Sequence, residues 1–404
     1  MTEDLLVVGK SLARVDAWEK AQGRALYAGD MKVPGLIYGK VLRSPWPHAI
    51  IKHVEAAKAR RVPGVRLVIS GDDIPRHKFG PIVPDETILA CDKLRFAGEE
   101  VAAVAASSEE AAEEALGLIE VQYEELPPVF TPEEALLPGA PKVHDSGNVV
   151  FPIQWERGDP DLAFQEADHV FEDRYTTSPV YHASVEPQVC LAAPSGAGGV
   201  TIWLPMQDPF MGRRYLAQGL GLEEARVRVI QTTVGGAFGG KRAQRLYVIC
   251  CLLAMRAGAP VRMLNSRQED FRSTLVRVPM AIELKTAVNR DGTLLAQEKR
   301  ILADNGAYCK RAPGVMMAAS LTMDNLYRWR SVRTRAQLVY TNKIPTGDFR
   351  GFGVPQVAFA VESQMDAIAD RLGMDPVDLR LKNATRQGDT TEHGWVVNSC
   401  GLDE

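Results

Sequence analysis

Short runs in which apolar and polar positions alternate, separated by stretches of helical periodicity, set the pattern of this chain from its first hundred residues. Residues 35–43 and 65–70 have strand character, and Gly71-Asp72-Asp73 closes the second as a turn. Residues 100–105 are apolar after their leading glutamate, the pattern of a buried strand. Ser107 or Ser108 then stands where a hydroxyl can accept from the free amides of a first helical turn. It precedes a helix rich in Glu and Ala over residues 109–118. Residues 119–123 alternate and return as a strand, so this part reads as a strand–helix–strand unit.

Pro127-Pro128, Pro132, Pro138 and Pro141 interrupt the pattern, and roughly residues 127–160 read as a connecting segment, because proline removes a backbone donor. Beyond it, the pattern predicts a strand at 199–204, a helix at 209–220 ended near Gly221, and a strand at 226–230 that runs into a glycine-rich turn. It also predicts a long apolar helix at 245–257 stopped by Gly258, and an amphipathic helix at 356–372 ended by Gly373. Asp375-Pro376 opens one more helix, since proline suits a first helical turn. The class expected is α/β (α+β).

The chain has 404 residues, 46% of them hydrophobic, enough for two or three cores. A net charge of −4 gives no basic surface to track a phosphate backbone, so nucleic acid is not an expected partner. No apolar run approaches the roughly 20 residues needed to span a bilayer. Met1-Thr2-Glu3-Asp4 is acidic, unlike the start of a secretory signal, so no membrane association and a cytoplasmic location are expected. Cysteines at 91, 190, 250, 251, 309 and 400 form no CxxC and no zinc or iron–sulfur spacing. If the protein does redox chemistry, its metal must be held by something other than cysteine.

Four segments carry candidate chemistry. Thr233-Val234-Gly235-Gly236-Ala237-Phe238-Gly239-Gly240-Lys241 places four glycines in six residues between a strand and a helix. Backbone amides there can approach an anion or cofactor, or form a tight turn without a ligand; the pattern is neither the dinucleotide fingerprint nor the nucleotide-hydrolase phosphate loop. In Gly347-Asp348-Phe349-Arg350-Gly351-Phe352-Gly353, the arginine offers a planar donor fork and Phe352 a stacking face. The same loop could equally be structural, its arginine paired with a carboxylate. Gln207, in Met206-Gln207-Asp208-Pro209, carries an amide that can donate and accept. His182-Ala183-Ser184-Val185-Glu186-Pro187 holds one histidine and one glutamate; with no second ligand nearby it reads as structural.

In this order the segments resemble the large-subunit pattern of the xanthine dehydrogenase/aldehyde oxidase family of molybdenum hydroxylases. The resemblance also rests on Gly9-Lys10, Arg14, Asp16, Lys20, Gly23, Tyr27, Arg43-Ser44-Pro45, His48-Ala49, Glu186-Pro187 and Asp304-Asn305-Gly306-Ala307-Tyr308. It covers essentially the whole chain and is strongest toward members whose molybdenum subunit is split into two polypeptides. It implies an N-terminal a/b hammerhead domain over residues 18–128, a connecting segment at 129–150, and the first part of a molybdopterin-binding domain over 151–404. The cofactor implied is molybdopterin, as the cytosine dinucleotide in bacterial members, whose dithiolene holds the molybdenum so that no side chain need ligate it.

By position, Gln207, Gly236, Phe238, Gly239, Gly240 and Arg350 match the family's cofactor-binding residues, and Phe352 the aromatic wall for a planar substrate. Purine-oxidising members carry a glutamate where this chain has Arg242, and an arginine aligned with Ala318, ahead of Met323-Asp324-Asn325. Xanthine is therefore a poor substrate expectation. Arg242 would suit a carboxylate-bearing substrate, or simply face solvent. The family's general base is a glutamate in a Gly-Glu pair well beyond the second glycine loop, and no such pair follows it here. The resemblance thus implies a second molybdenum-binding chain that supplies this base. It also implies an iron–sulfur subunit with [2Fe-2S] clusters and an FAD subunit. The expected reaction is hydroxylation of an N-heteroaromatic, aldehyde or aryl substrate with oxygen from water. A non-catalytic scaffold or maturation relative, or an aryl thioester reductase, is the competing expectation. A bulky residue at Gly239 is expected to separate enzyme from scaffold.

Overall fold

The computed structural model describes residues 5–322, 326–391 and 393–402. The acidic start Met1 to Asp4 and the segment Met323-Asp324-Asn325 lie outside the described residues. The central layer is a seven-stranded mixed sheet. Its order is Val227–Gln231, Gly199–Leu204, Val189–Ser195, Val261–Leu264, Ile37–Arg43, Glu100–Ala106 and Val65–Ser70. Strands from the first hundred residues and from the middle of the chain share this sheet: Ile37 lies opposite Val261 in a parallel pair. Glu100–Ala106 is buried at every position, as its apolar run requires of an interior strand.

The helix Arg245–Ala257 packs on this sheet and is buried at every residue from Arg245 to Ala254. Its apolar sequence therefore has no solvent face to serve. It stops at Gly258, whose φ of +62° is the left-handed cap that glycine supplies without strain. A second, five-stranded sheet runs in the order Val149–Arg157, Ser331–Tyr340, Leu294–Gly306, Met280–Val288 and His169–Thr177. The helices Ala312–Thr322 and Val354–Leu372 cover it, burying Ile282, Leu284, Val315, Leu338, Val357 and Met365 in one core. Among the described residues no helix is long and apolar enough to cross a membrane.

Two sequence expectations change. The helix Glu109–Gly117 forms as expected, with Ser108 Oγ accepting from the Ala111 amide at 3.2 Å. The strand that follows, Glu120–Glu125, does not rejoin the sheet of Glu100–Ala106; it pairs with Ala49–Glu55 in a separate three-stranded sheet. Its glutamates sit on exposed positions, which an interior strand cannot offer. The segment read as a connection at 127–160 also contains regular structure. Pro132–Ala135 forms a short helix capped by Thr131, and Val149–Arg157 is a strand despite Pro152. That strand is at the sheet edge, where a missing donor leaves no ladder bond broken on the open side.

A buried ionic cluster joins the early part of the chain to the later part. The Arg245 guanidinium lies 3.1 Å from Glu99 and 3.0 Å from Glu100, with Glu86 at 3.8 Å and the Tyr308 ring 4.7 Å below it. Glu86 is also bound by Lys310 and by Tyr215 Oη at 3.2 Å. Beside this cluster, His144 donates Nε2 to the Ala307 carbonyl at 2.7 Å and lies against the Tyr340 ring. Burial, with Arg95 adding to it, pushes His144 down to about 4. Asp85, which accepts from Tyr340 Oη and the Cys309 amide, is pushed up to about 6 by burial and by Glu86.

These two shifts act on stability with opposite signs. The depressed His144 contributes stability above the unfolded value that is lost as pH falls from about 6.5 toward 4. The raised Asp85 contributes most at low pH and loses its contribution as pH rises through about 6. Replacing His144 removes only the first. His144→Gln should therefore lose about 2 kcal/mol less than the unaltered protein between about pH 7 and about pH 5. Denaturant unfolding at the two pH values checks this, and an equal loss in both proteins would contradict it.

Candidate functional site

Two glycine loops meet at one edge of this scaffold. The first runs from Thr232 to Gln244, between the strand Val227–Gln231 and the buried helix Arg245–Ala257. The second spans Thr346 to Gly353 and leads into the helix Val354–Leu372. They are hydrogen-bonded directly: the Arg350 amide donates to the Phe238 carbonyl at 2.8 Å. Gln207 braces the first loop from a third element. Its own amide donates to the Lys241 carbonyl at 2.9 Å, and its Oε1 accepts from the Gly239 amide at 3.0 Å.

The backbone is strained where the loops touch. Among the described residues, three that are not glycine have positive φ: Ala183 (+50°), Phe238 (+52°) and Phe352 (+51°). All three lie in the two loops or in the segment beneath them. Such conformations cost on the order of 1–3 kcal/mol each and persist only where the surroundings over-determine them. Gly239, at φ +111°, shows the crowding: a Cβ there would lie 2.5 Å from the Asp348 carbonyl oxygen.

Sequence reasoning set aside the segment that supports both loops. The alternate residues His182, Ser184, Glu186 and Gln188 each touch them. The His182 ring lies where a Cβ on Gly240 would come within 2.9 Å, donates Nε2 to the Asp348 carbonyl at 2.7 Å, and stacks on Phe349 with centroids 4.5 Å apart. Ser184 packs against Gly236. Glu186 Oε2 accepts from the Gly235 amide at 2.8 Å and from Lys241 Nζ at 2.5 Å. Gln188 Nε2 donates to the Gly240 carbonyl at 3.1 Å. The period of two, with Ala183 and Val185 exposed between, was a usable signal.

The site residues expected from sequence are brought together, with changed duties for some. Gly236 and Phe238 stand on the outer turn. Gly239 and Gly240 admit the protein's own Asp348 backbone and His182 ring, so their lack of a side chain serves loop packing. Arg350 contributes its backbone amide to Phe238 and its carbonyl to Arg277 at 3.1 Å, while its side chain is exposed and forms no ion pair among the described residues. Arg242, expected to suit a substrate carboxylate or to face solvent, lines the cavity described below and is engaged in ion pairs. Its guanidinium lies 3.2 Å from Asp208 and 2.9 Å from Asp348, which also takes Arg311 at 3.0 Å. Phe352 rests against Gly314 on the helix Ala312–Thr322, and Ala318 stands one turn further along that helix. The chain's Gly98-Glu99 pair is committed to Arg245 and Tyr308.

Beside Arg242 and Arg311 opens a cavity of about 480 Å³, lined also by Phe79, Ile82, Asp208 and Tyr215. Burial lowers Lys241, and the Glu186 carboxylate beside it opposes that; burial raises Asp348 against the pull of Arg311 and Arg242. His182 is held down by burial and so remains neutral near pH 7.

The loops present an unsatisfied donor set. The amides of Gly236, Ala237 and Phe238 make no hydrogen bond among the described residues, and Gln207 Nε2, on an exposed side chain, is open to a ligand or to solvent. Glu186 Oε1 and Asp348 Oδ1 are buried acceptors without partners, which native structures rarely leave. No group of three or more His, Cys, Asp or Glu side chains among the described residues could hold a metal ion. The free loop amides fit a polar, anion-bearing ligand.

Comparisons with known proteins identify two domains. Residues 22–127 match the aldehyde oxidase and xanthine dehydrogenase a/b hammerhead domain, and residues 143–384 the molybdopterin cofactor-binding domain. The chain is 39% identical to the nicotinate dehydrogenase large molybdopterin subunit of Eubacterium barkeri, over 100% of this chain and 96% of that protein. It is 38% identical to a probable xanthine dehydrogenase subunit of Bacillus subtilis, over 95% of this chain and 52% of that one. The aldehyde oxidoreductase structure from Desulfovibrio gigas matches with TM-score 0.91 at 30% identity, covering 95% of this chain and 44% of that chain. Apart from the Eubacterium subunit, the chain spans about half the length of these relatives.

Because Gly239 touches the second loop, replacing it perturbs folding whatever the loops bind, and the sequence-based idea of using it to separate enzyme from scaffold does not survive. Gly239→Ala should destabilise the protein by about 3 kcal/mol, from the positive φ and the carbonyl clash together. Gln207→Ala, at an exposed side chain, should cost about 1 kcal/mol. Denaturant midpoints of the two variants check the order; a Gly239→Ala protein as stable as the parent would contradict it.

Proposed function

The chain belongs to the xanthine dehydrogenase/aldehyde oxidase family, and we propose that it is the larger molybdopterin-binding half of a heteromeric molybdenum hydroxylase. One observation carries the reading. The Arg350–Phe238 bond locks two strained loops together, and Gln207 is tied to the same loop through Gly239, while the Gly236 to Phe238 amides make no bond among the described residues. Those groups would hold the molybdopterin, with Gly239 and Gly240 shaping the turn. When bound, that cofactor supplies the two-electron redox centre at which an oxygen atom from water is transferred to carbon.

The protein's own groups do the rest. Gln207 Oε1 is fixed by Gly239, so its Nε2 would be a pre-oriented donor to the bound cofactor. The helix Val354–Leu372 begins directly after the second loop and adds positive potential from its N-terminus. Phe352, held by Gly314 and its own strained backbone, offers a fixed face to a planar substrate. The cavity beside Arg242 and Arg311 is the substrate approach. Arg242 is paired with Asp208 and Asp348, and Arg311 with the same Asp348, so recognition of a carboxylate would fall to Lys78 on the cavity wall. The subunit of the Eubacterium relative is named for nicotinate, which supports a carboxylate-bearing N-heteroaromatic over an aldehyde.

The match over 96% of a large molybdopterin subunit in Eubacterium supports a split arrangement, in which the general base would come from a second molybdenum-binding chain. Iron–sulfur and FAD subunits would carry the electrons away, since the described cysteines are scattered and unpaired. The cytosine dinucleotide form of the cofactor is part of the same proposal.

Elemental analysis and a pterin fluorescence assay on the co-purified complex test the assignment. About one molybdenum and one pterin per chain are expected, and a complex free of both would overturn it. Gln207→Ala should keep both while kcat falls about 100-fold, the typical effect of removing one pre-oriented donor. A scaffold would show neither cofactor nor dependence on Gln207.

A further inference from the structure

The glycine loop is tied at both ends to a single atom. Glu186 Oε2 accepts from the Gly235 amide at 2.8 Å, where the outer turn begins, and from Lys241 Nζ at 2.5 Å, just past its end. The Glu186 amide returns a bond to the Gly235 carbonyl at 3.1 Å, so the two residues pair reciprocally. They are at closest approach: a Cβ on Gly235 would lie 2.5 Å from Glu186 Cβ. Between these two ties run Gly236, Ala237 and Phe238, whose amides make no hydrogen bond among the described residues.

We propose that Glu186 is a positioning residue that closes the 235–241 loop like a drawstring and so fixes the direction of the Gly236 to Phe238 amides. This deepens the functional reading above and rests on it. Lys241 serves Glu186. The ammonium is almost fully buried, with 1% of its side chain accessible. It leaves the carboxylate no cheaper alternative than to stay beneath the loop, because separating the pair would strand a charge in the interior. The neighbouring residues act in the same direction. Ser184 fills the space under Gly236, and His182 fixes the second loop through Asp348. The outward residues Ala183 and Val185 take no part.

A simple ion pair and a loop-closing residue respond differently to paired substitutions. Glu186→Gln with Lys241→Met keeps an acceptor for the Gly235 amide and strands no cation. Glu186→Ala with Lys241→Met strands no cation either but removes the acceptor. Both would be made in the full complex, checked for thermal unfolding and for bound molybdenum and pterin, and compared by steady-state kinetics and by the EPR spectrum of the metal centre. The Gln/Met protein should keep kcat within about 3-fold and an unchanged spectrum. The Ala/Met protein should keep its metal and KM, lose kcat about 10-fold or more, and show a shifted EPR signal, because small misplacements of pre-oriented groups are costly. An Ala/Met protein with parental kcat and spectrum overturns the proposal, as does an equal loss in both double variants. A parental complex that holds no metal or pterin overturns the functional reading, and this proposal with it.

Discussion

The burial of one guanidinium organises this molecule. Arg245 is the first residue of the helix that follows the glycine loop, and it has almost no access to solvent. A charge so placed is tolerable only with matched partners; taking one away costs roughly 3–5 kcal/mol. The partners, Glu99 and Glu100, belong to a stretch of chain almost 150 residues earlier. The early strands are thus recruited to fix where the central helix starts. With that end fixed and the strand Val227–Gln231 held in the sheet, the intervening loop has both of its ends set before any ligand is considered.

Within those ends, the loop adopts a shape that its own sequence disfavours. Phe238 and Phe352 occupy the left-handed region, and the second loop reaches across to grip Phe238 through its carbonyl. The strain is maintained by contacts from several directions: Gln207 from one strand end, the 182–188 segment from below, and Asp348 with its two arginines from the side. A surface assembled this way is rigid because no single element owns it. Rigidity is what an array of amide donors needs if it is to act on a ligand without first reorganising.

Much of this was legible in the sequence wherever the determining forces are local. Gly258 and Gly373 end their helices because only glycine takes the left-handed cap easily, and Ser108 caps its helix from the side-chain hydroxyl alone. The two glycine loops and Gln207 announced themselves by residue type. What local pattern could not show was partnership across distance. Nothing in the run 119–123 says that it pairs with Ala49–Glu55 rather than with its predecessor. Arg242 looked available because Asp208 and Asp348 lie 34 residues before it and more than 100 after it. Glu186 was discounted for want of a second ligand nearby, whereas its partners are the amide of Gly235 and the amine of Lys241.

The pairing of Ile37 with Val261 sets the order in which this protein can come into being. A strand emerging early from the ribosome must wait for one made more than two hundred residues later before the central sheet can close. Parallel pairing over such a separation is slow, and the unpaired strands remain open to wrong partners until it happens. The glycine loop lies between these two strands and is gripped in turn by Arg350, so its final shape waits for the second loop as well. A cofactor held there would arrive only after both have been made.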